Sequence, residues 1–167
     1  MEKTDRLGLP LLTAGQAQKE MTVNEALALL DLAVQPVVED VGRNVPPIAP
    51  QPGQAWVVGT NPGEAWAGQA GKVAGWTAAG WKFFSIANGG TVWSRADGCA
   101  VQRTASGWRT GELRGQTLNI NGRQVVGAQA AFVGRPAGGA TVDVEARAAI
   151  GAILARLETH GLLAGGG

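Results

Sequence analysis

The sequence predicts an α+β protein with a helix near each end and a Trp-rich antiparallel β domain between them. Apolar residues recur at helical spacing near residues 23–35 and again from about residue 142 onward. Between these stretches, short apolar segments such as "GKVAGW" and "GWKFFSI" are separated by glycine, a spacing typical of small antiparallel hairpins. A chain of 167 residues is long enough to bury a core without disulfides.

Composition divides the chain into four predicted segments. They are an N-terminal attachment segment and helix (1–41), a Pro-rich linker (42–53), an antiparallel β domain of short hairpins (54–133), and a Gly-rich connection followed by an amphipathic C-terminal helix (134–167). The Pro-rich segment fits either an extended linker or a long surface loop, and the sequence leaves both open.

The first helix is predicted from Val23 to Gln35. Thr22 stands three residues before Glu25, which is the pattern of a capping box at a helix start. Pro36 ends the helix because proline has no backbone N–H to continue its hydrogen bonds. Apolar residues lie on more than one side of this helix, so we expect it to be buried on more than one side.

The β region contains a short internal sequence repeat. The pair Gly80-Trp81 recurs as Gly107-Trp108, each time after a short apolar run and a tight turn. We expect a duplicated hairpin within one sheet. A further hairpin is predicted around Asn121-Gly122, because a type I′ turn needs two residues with positive φ and Asn-Gly suits both positions.

The second helix carries one apolar stripe and recognisable ends. Its stripe consists of Val142, Ala146, Ala149, Ile150, Ile153, Leu154 and Leu157. Thr141 or Asp143 is the expected N-cap, and Gly161 is the expected residue just beyond the C-terminus. The helix could fold back on the sheet or pair with copies of itself, and the sequence leaves both open.

Charge and cysteine content limit the kinds of partner and cofactor that the sequence predicts. The formal net charge is +1, which gives no basic stripe for a nucleic acid, and no apolar run is long enough to span a membrane. The start of the chain lacks the apolar core of a signal peptide. The single Cys99 can form neither an internal disulfide nor a zinc site alone. We therefore expect no cofactor, no metal, no nucleic acid and no membrane.

No residue pattern favours catalysis. His160 is the one histidine and suits the last turn of a helix better than a general base. Carboxylate pairs such as Glu39 with Asp40, or Glu64 with Asp97, carry no spacing that fixes their separation. We predict a non-enzymatic protein, with a glycan hydrolase as the second alternative.

The six tryptophans allow two interpretations. They can fill a core that is otherwise rich in Gly and Ala, since a buried indole removes about 150–250 Å² from water. They can also form a platform for sugar rings, which makes a lectin-like carbohydrate-binding module the first alternative function. Trp81 and Trp108 are expected in the core. Trp66, in the loop-like "NPGEAWAGQ", is the candidate contact to a ligand or partner.

The segment Leu7 to Asp31 resembles the opening signature of an uncharacterised domain family of tailed phages and gene transfer agents. The residues that carry the resemblance are Leu9, Pro10, Gln16, Ala17, Gln18, Lys19, Thr22, Asn24, Glu25, Ala26, Leu27, Leu30 and Asp31. Glu20 departs from it, because a histidine is more frequent there. The "W…GW" sheet and the closing "RAAIGAILARLETHGL" are also similar to that family.

The resemblance implies a virion structural protein of the tail-fibre or head-spike kind, including a capsid spike-base subunit, on the surface of a phage-like particle made in the bacterial cytoplasm. We expect a homo-oligomer, trimer or pentamer, that binds capsid or tail proteins and a spike or fibre protein and supports host attachment, including contact with host surface polysaccharide. The candidate attachment and oligomer interface is Gln16, Gln18, Lys19, Asn24 and Glu25. A local capping network is the alternative role of these residues.

Overall fold

The computed structural model describes residues 2–13, 19–140 and 143–165, with the side chain of Lys19 excepted. The elements in chain order are α1 (Lys19–Val34), β1 (Val37–Val38), β2 (Val41–Arg43), β3 (Ala55–Val58), a 3₁₀ turn (Glu64–Trp66), β4 (Val73–Thr77), β5 (Gly80–Phe84), β6 (Thr91–Ser94), β7 (Cys99–Thr104), β8 (Gly107–Thr110), β9 (Leu118–Ile120), β10 (Arg123–Val126) and α2 (Val144–Thr159). The predicted α+β class, with a helix near each end and hairpins between, is confirmed.

The chain forms two compact units, Met1–Glu112 and Leu113–Gly167, which we call unit 1 and unit 2. This division into two units differs from the four segments that composition predicted. The N-terminal helix belongs with the sheets in unit 1, and the β9–β10 hairpin belongs with α2 in unit 2. Both ends of the Pro-rich segment lie inside unit 1, and its first residues are the end of β2, so it is a surface loop rather than a linker.

Unit 1 contains two four-stranded sheets. The Trp93 sheet has the order β1-β6-β7-β8, and the Trp56 sheet has the order β2-β3-β4-β5. Each is an antiparallel meander of three strands joined by one short parallel strand, because β1 pairs with β6 and β2 pairs with β3 in parallel. One apolar cluster joins the sheets and α1; its buried members are Leu32, Val38, Ala55, Val57, Val73, Val92 and Val101.

The two Gly-Trp hairpins have the same turn but lie in different sheets, so the expectation of one shared sheet is wrong. In the β4–β5 hairpin, Thr77 pairs with Gly80 and its Oγ1 donates to the Gly80 carbonyl at 2.9 Å. In the β7–β8 hairpin, Thr104 pairs with Gly107 and makes the same bond at 2.8 Å. Each copy of the repeat therefore forms a hairpin in its own sheet, and the two hairpins are not neighbours in a single sheet.

Helix α1 extends further toward the N-terminus than predicted. It spans Lys19–Val34, so Thr22 lies inside the helix and the predicted capping box is wrong. Glu25 instead forms an ion pair with Lys82 of β5, with 2.6 Å between Nζ and Oε1. The helix contacts the Trp56 sheet at Gly75, where a Cβ would overlap the buried side chain of Leu32.

Unit 2 consists of the β9–β10 hairpin and α2. The predicted turn is confirmed, since Asn121 has φ 50° and Gly122 has φ 75°. Asp143 is the N-cap of α2 and accepts a hydrogen bond from the Ala146 N–H at 2.8 Å. Gly161 has φ 70°, as expected just beyond the helix. Thr141 and Val142 lie outside the described residues.

Candidate functional site

The N-terminal loop, residues 2–13, is held against α1 by the carboxylate of Asp31. This side chain is only 2% exposed. It accepts hydrogen bonds from Thr4 Oγ1 at 2.7 Å, from the Arg6 N–H at 2.9 Å and from the Leu7 N–H at 2.7 Å. Bonds from backbone N–H groups to a carboxylate are charge-assisted and stronger than neutral ones. Asp31, the closing residue of the N-terminal motif, is therefore an internal anchor.

The guanidinium of Arg6 connects the same loop to three other parts of unit 1. It donates to the carbonyls of Leu32 and Gln35 at the end of α1, at 3.3 and 3.1 Å. It also donates to Gly53 in the Pro-rich loop at 2.6 Å and to Val37 of β1 at 2.8 Å. A cation at a helix C-terminus is favoured by the helix dipole. Burial lowers the pKa of Arg6, and the charge of Asp31 acts in the opposite direction.

The predicted interface residues lie on or next to α1. Asn24 exchanges two hydrogen bonds with the backbone of Leu12, accepting at 2.9 Å and donating at 3.0 Å. Glu25 is paired with Lys82, as described above. Asn24 and Glu25 are therefore engaged within unit 1, but neither contact is the local capping network that the sequence left open as the alternative. Lys19 is the first residue of α1, and Gln16 and Gln18 lie outside the described residues. The oligomer-interface role of this set stays a prediction.

A cavity of about 280 Å³ lies between the N-terminal loop, α1 and the β4–β5 turn. Apolar surface dominates its lining, with Leu11, Met21 and Leu32 among the contributors. Asp5 lies at this cavity, and its pKa is raised, first by burial and second by the nearby charge of Asp31. The polar groups along the cavity are largely engaged by the bonds described above.

Four tryptophans form a second core on the outer face of the Trp56 sheet. Trp56 and Trp66 are buried, and Trp76 and Trp81 pack against them with Phe83. Trp76 and Trp81 are register partners across the hairpin, with ring centroids 4.9 Å apart, and the rings of Trp66 and Trp81 meet edge-on at 5.1 Å. Offset and edge-to-face geometries are the favourable ones for aromatic pairs.

The expectation that Trp66 is exposed is wrong. The sequence around it looks like a loop, but a 3₁₀ turn at Glu64–Trp66 directs the indole into the cluster, where it is 0% exposed. Its Nε1 and the Oε1 of Gln69 are buried without a hydrogen-bond partner among the described residues. Trp66 is therefore a packing residue, and a ligand cannot reach it without opening the cluster.

Trp93 of β6 is the exposed tryptophan of the described chain, at 50%. It lies beside an open groove of about 390 Å³ formed by the end of α1 and strands β1, β6 and β7. Strand β6 alternates strictly between exposed and buried residues, so Val92 enters the core while Thr91 and Trp93 face outward. The alternation in "TVWS" was visible in the sequence, but it does not say which of two apolar neighbours faces the core.

Unit 2 presents an apolar surface of its own. Leu154 is the one large hydrophobic residue buried among its described residues, at 8% exposed. Exposed apolar side chains on the hairpin, the following segment and α2 are Leu118, Ile120, Val125, Val126, Phe132, Val133, Val144, Ile150 and Ile153. Arg135 packs along one side of α2, donating to the Gly151 carbonyl and to Glu158, each at 2.9 Å.

Two sheets that share a core with one helix define unit 1 as a small α+β domain. Among the described residues, no group of three or more His, Cys, Asp or Glu side chains could hold a metal ion. Neither helix of the described chain has the length and hydropathy to cross a membrane.

The chain belongs to the family described as protein of unknown function (DUF2793), whose model matches residues 23–109, just over half of the chain. The match covers most of α1 and both sheets of unit 1. The motif Leu7–Asp31 overlaps it only from residue 23 onward, and unit 2 lies outside it. A comparison with curated proteins finds no match.

Proposed function

We propose that this protein is a non-enzymatic structural subunit of a phage-like particle, of the spike or fibre kind, and that it works as a homo-oligomer. The observation that carries the proposal is the exposed apolar surface of unit 2. A two-stranded hairpin is at best marginally stable alone, and α2 leaves part of its apolar stripe in solvent. The described part of unit 2 thus buries too little apolar surface to be stable by itself.

A second copy of the same unit is the partner that best supplies the missing contacts. The outward side of α2 carries Ile150 and Ile153 beside Ala146, and Ile153 is 58% exposed. Apolar residues three and four apart form the seam through which helices pair. In a closed ring or bundle every copy buries the same patch. The exposed side chains of unit 2 would supply a large share of the roughly 800 Å² that each partner contributes to a standard interface.

The particle setting rests on the resemblance of the segment Leu7–Asp31 to the phage and gene transfer agent signature. In this setting the N-terminal loop and α1 attach the subunit to capsid or tail proteins, and the subunit supports a spike or fibre protein that engages the host. Its location is the particle surface, reached after synthesis in the bacterial cytoplasm. The narrower assignment to the base of a capsid spike belongs to the same proposal.

Multi-angle light scattering of the full chain after size exclusion tests the proposal. We expect the wild-type protein to elute as one discrete oligomer at micromolar concentration. Ile153→Glu places a carboxylate in the proposed seam, and burying an unpaired charge costs several kcal/mol, so we expect dissociation constants at least about 100-fold higher. Ala155→Glu is the matched control, because a residue two positions on lies about 200° around the helix, so it adds the same charge on the opposite, exposed side.

The proposal fails if the wild-type chain is monomeric, or if Ile153→Glu leaves its mass unchanged. Circular dichroism of both variants checks that α2 still forms. Equal dissociation of both glutamate variants would also count against the seam, since it would show a general effect of charge.

A further inference from the structure

Trp93 lines an open groove and belongs to a strand whose backbone is fixed by hydrogen bonds. The backbone N–H of Trp93 donates to the Pro36 carbonyl at 2.9 Å, and β6 is paired on both sides, with β1 and with β7. Register places Val37 on one flank of Trp93 and Ala100 on the other. Paired residues point to the same face of a sheet, so the neighbours of the indole are small and leave its ring accessible.

The polar groups around the indole are uncharged. Gln35 and Thr91 also line the groove, and Gln102 is the register partner of Thr91 on the same face. Amide and hydroxyl groups both donate and accept hydrogen bonds. Just past the ends of β1 and β6, Glu39 and Arg95 form an ion pair at 3.6 Å. On β8, Arg109 is the register partner of Gln102 and pairs with Glu112 at 4.0 Å. The surface around Trp93 therefore offers an apolar ring and neutral hydrogen-bonding groups without net charge.

These features select one class of ligand. Nucleic acid needs unpaired cations for its phosphates. The described residues lining the groove include no Lys or Arg, and the cations beside it are engaged: Arg6 with the carbonyls of Gln35 and Val37, and Arg95 with Glu39. A stable protein interface needs a broad apolar patch, whereas Trp93 is the single exposed large hydrophobic residue lining this groove. A pyranose has an apolar C–H face that packs on an indole and equatorial hydroxyls that reach neighbouring amides.

We propose that the Trp93 groove binds a neutral hexose unit of a polysaccharide, with the sugar ring stacked on the indole. This inference deepens the proposed function and rests on it, because it names the ligand class through which the subunit itself contacts a host surface. It requires one chain only, so it can be tested apart from oligomer formation.

The test uses full-length protein labelled with 5-fluorotryptophan, in which each of the six indoles gives its own ¹⁹F signal. Trp93→Phe assigns the signal of Trp93. The probes are the methyl glycosides of glucose, galactose, mannose and N-acetylglucosamine, soluble dextran, and methyl glucuronide as the acidic comparator. We expect at least one neutral probe to shift the Trp93 signal selectively. Trp93→Ala should raise the dissociation constant of that probe at least about tenfold.

Phe132→Ala is the matched control, since Phe132 is an exposed aromatic residue of unit 2. It should leave sugar binding unchanged. The inference is overturned if no neutral probe shifts the Trp93 signal, if only the glucuronide does, or if Trp93→Ala binds as well as wild type. Light scattering of the same samples separates the two proposals: a discrete oligomer that binds no sugar refutes the Trp93 site and leaves the structural role standing.

Discussion

Replacing Asp31 by Asn tests whether the N-terminal loop is held by one buried carboxylate. The change keeps the side-chain shape but turns one accepting oxygen into a donor. Either the Arg6 N–H or the pair formed by Thr4 and the Leu7 N–H then faces an NH₂ group, and a buried donor loses its acceptor. Hydrogen bonds to charged groups contribute about 1.5–3 kcal/mol each. Arg6 also loses the favourable charge of Asp31.

We expect Asp31→Asn to lower the free energy of unfolding by about 2–4 kcal/mol, a large fraction of the roughly 5–15 kcal/mol typical of a folded protein. Urea unfolding followed by circular dichroism measures the global part. Amide hydrogen exchange measures the local part, and we expect Arg6 and Leu7 to lose protection first.

Asp40→Asn is the control for this experiment. Asp40 is half-buried, and its carboxylate accepts one hydrogen bond, from the neighbouring Val41 N–H at 2.7 Å. We expect its replacement to cost below about 1 kcal/mol. The reasoning is refuted if Asp31→Asn costs no more than Asp40→Asn while the amides of Arg6 and Leu7 stay protected.

Two further substitutions probe the packing and the charge of unit 1. Gly75→Ala should lower the free energy of unfolding by about 1–3 kcal/mol, since the new methyl group overlaps the buried Leu32 side chain; urea unfolding measures the loss, and an unchanged midpoint would contradict the close approach of α1. Asp5→Asn should raise the thermal midpoint at pH 7. The pKa of Asp5 is raised above its usual 3.8, so its charged form disfavours the fold, and this penalty grows as the pH rises through that window. The advantage of the variant should vanish below pH 3.8, and a gain that persists there would refute the electrostatic cause.

Local signals in the sequence predicted the local elements well. The Asn121-Gly122 turn, the Asp143 cap and the Gly161 terminus each depend on a few neighbouring residues, and all three are confirmed. Such features need no knowledge of the rest of the fold, because backbone conformation and hydrogen bonding within a few residues decide them.

Long-range features could not be derived in the same way. The parallel pair of β1 with β6 joins strands that are distant in sequence, whereas β2 and β3 are consecutive and are separated by the Pro-rich loop. The two- and three-residue strands β1 and β2 carry no readable alternation. Asp31 was visible as the last residue of a motif, but its partners lie 24 to 27 residues away in a loop. Trp66 was assigned to the surface because its sequence context resembles a loop, whereas its direction is set by tertiary packing.

The small residues in the middle of β4 give one physical reason for the four tryptophans of the outer cluster. Ala74 faces the Trp cluster and Gly75 faces Leu32 of α1, so the middle of this strand adds little side-chain volume beside its larger neighbours Val73 and Trp76. The indoles of Trp56, Trp66, Trp76 and Trp81 fill the space on the outer face, and Trp108 packs against the main core and donates to the Gly71 carbonyl at 2.9 Å. Five of the six tryptophans are thereby accounted for by packing. Trp93 lies in neither cluster and is 50% exposed, and this is why we propose a ligand for Trp93 and for none of the other five indoles.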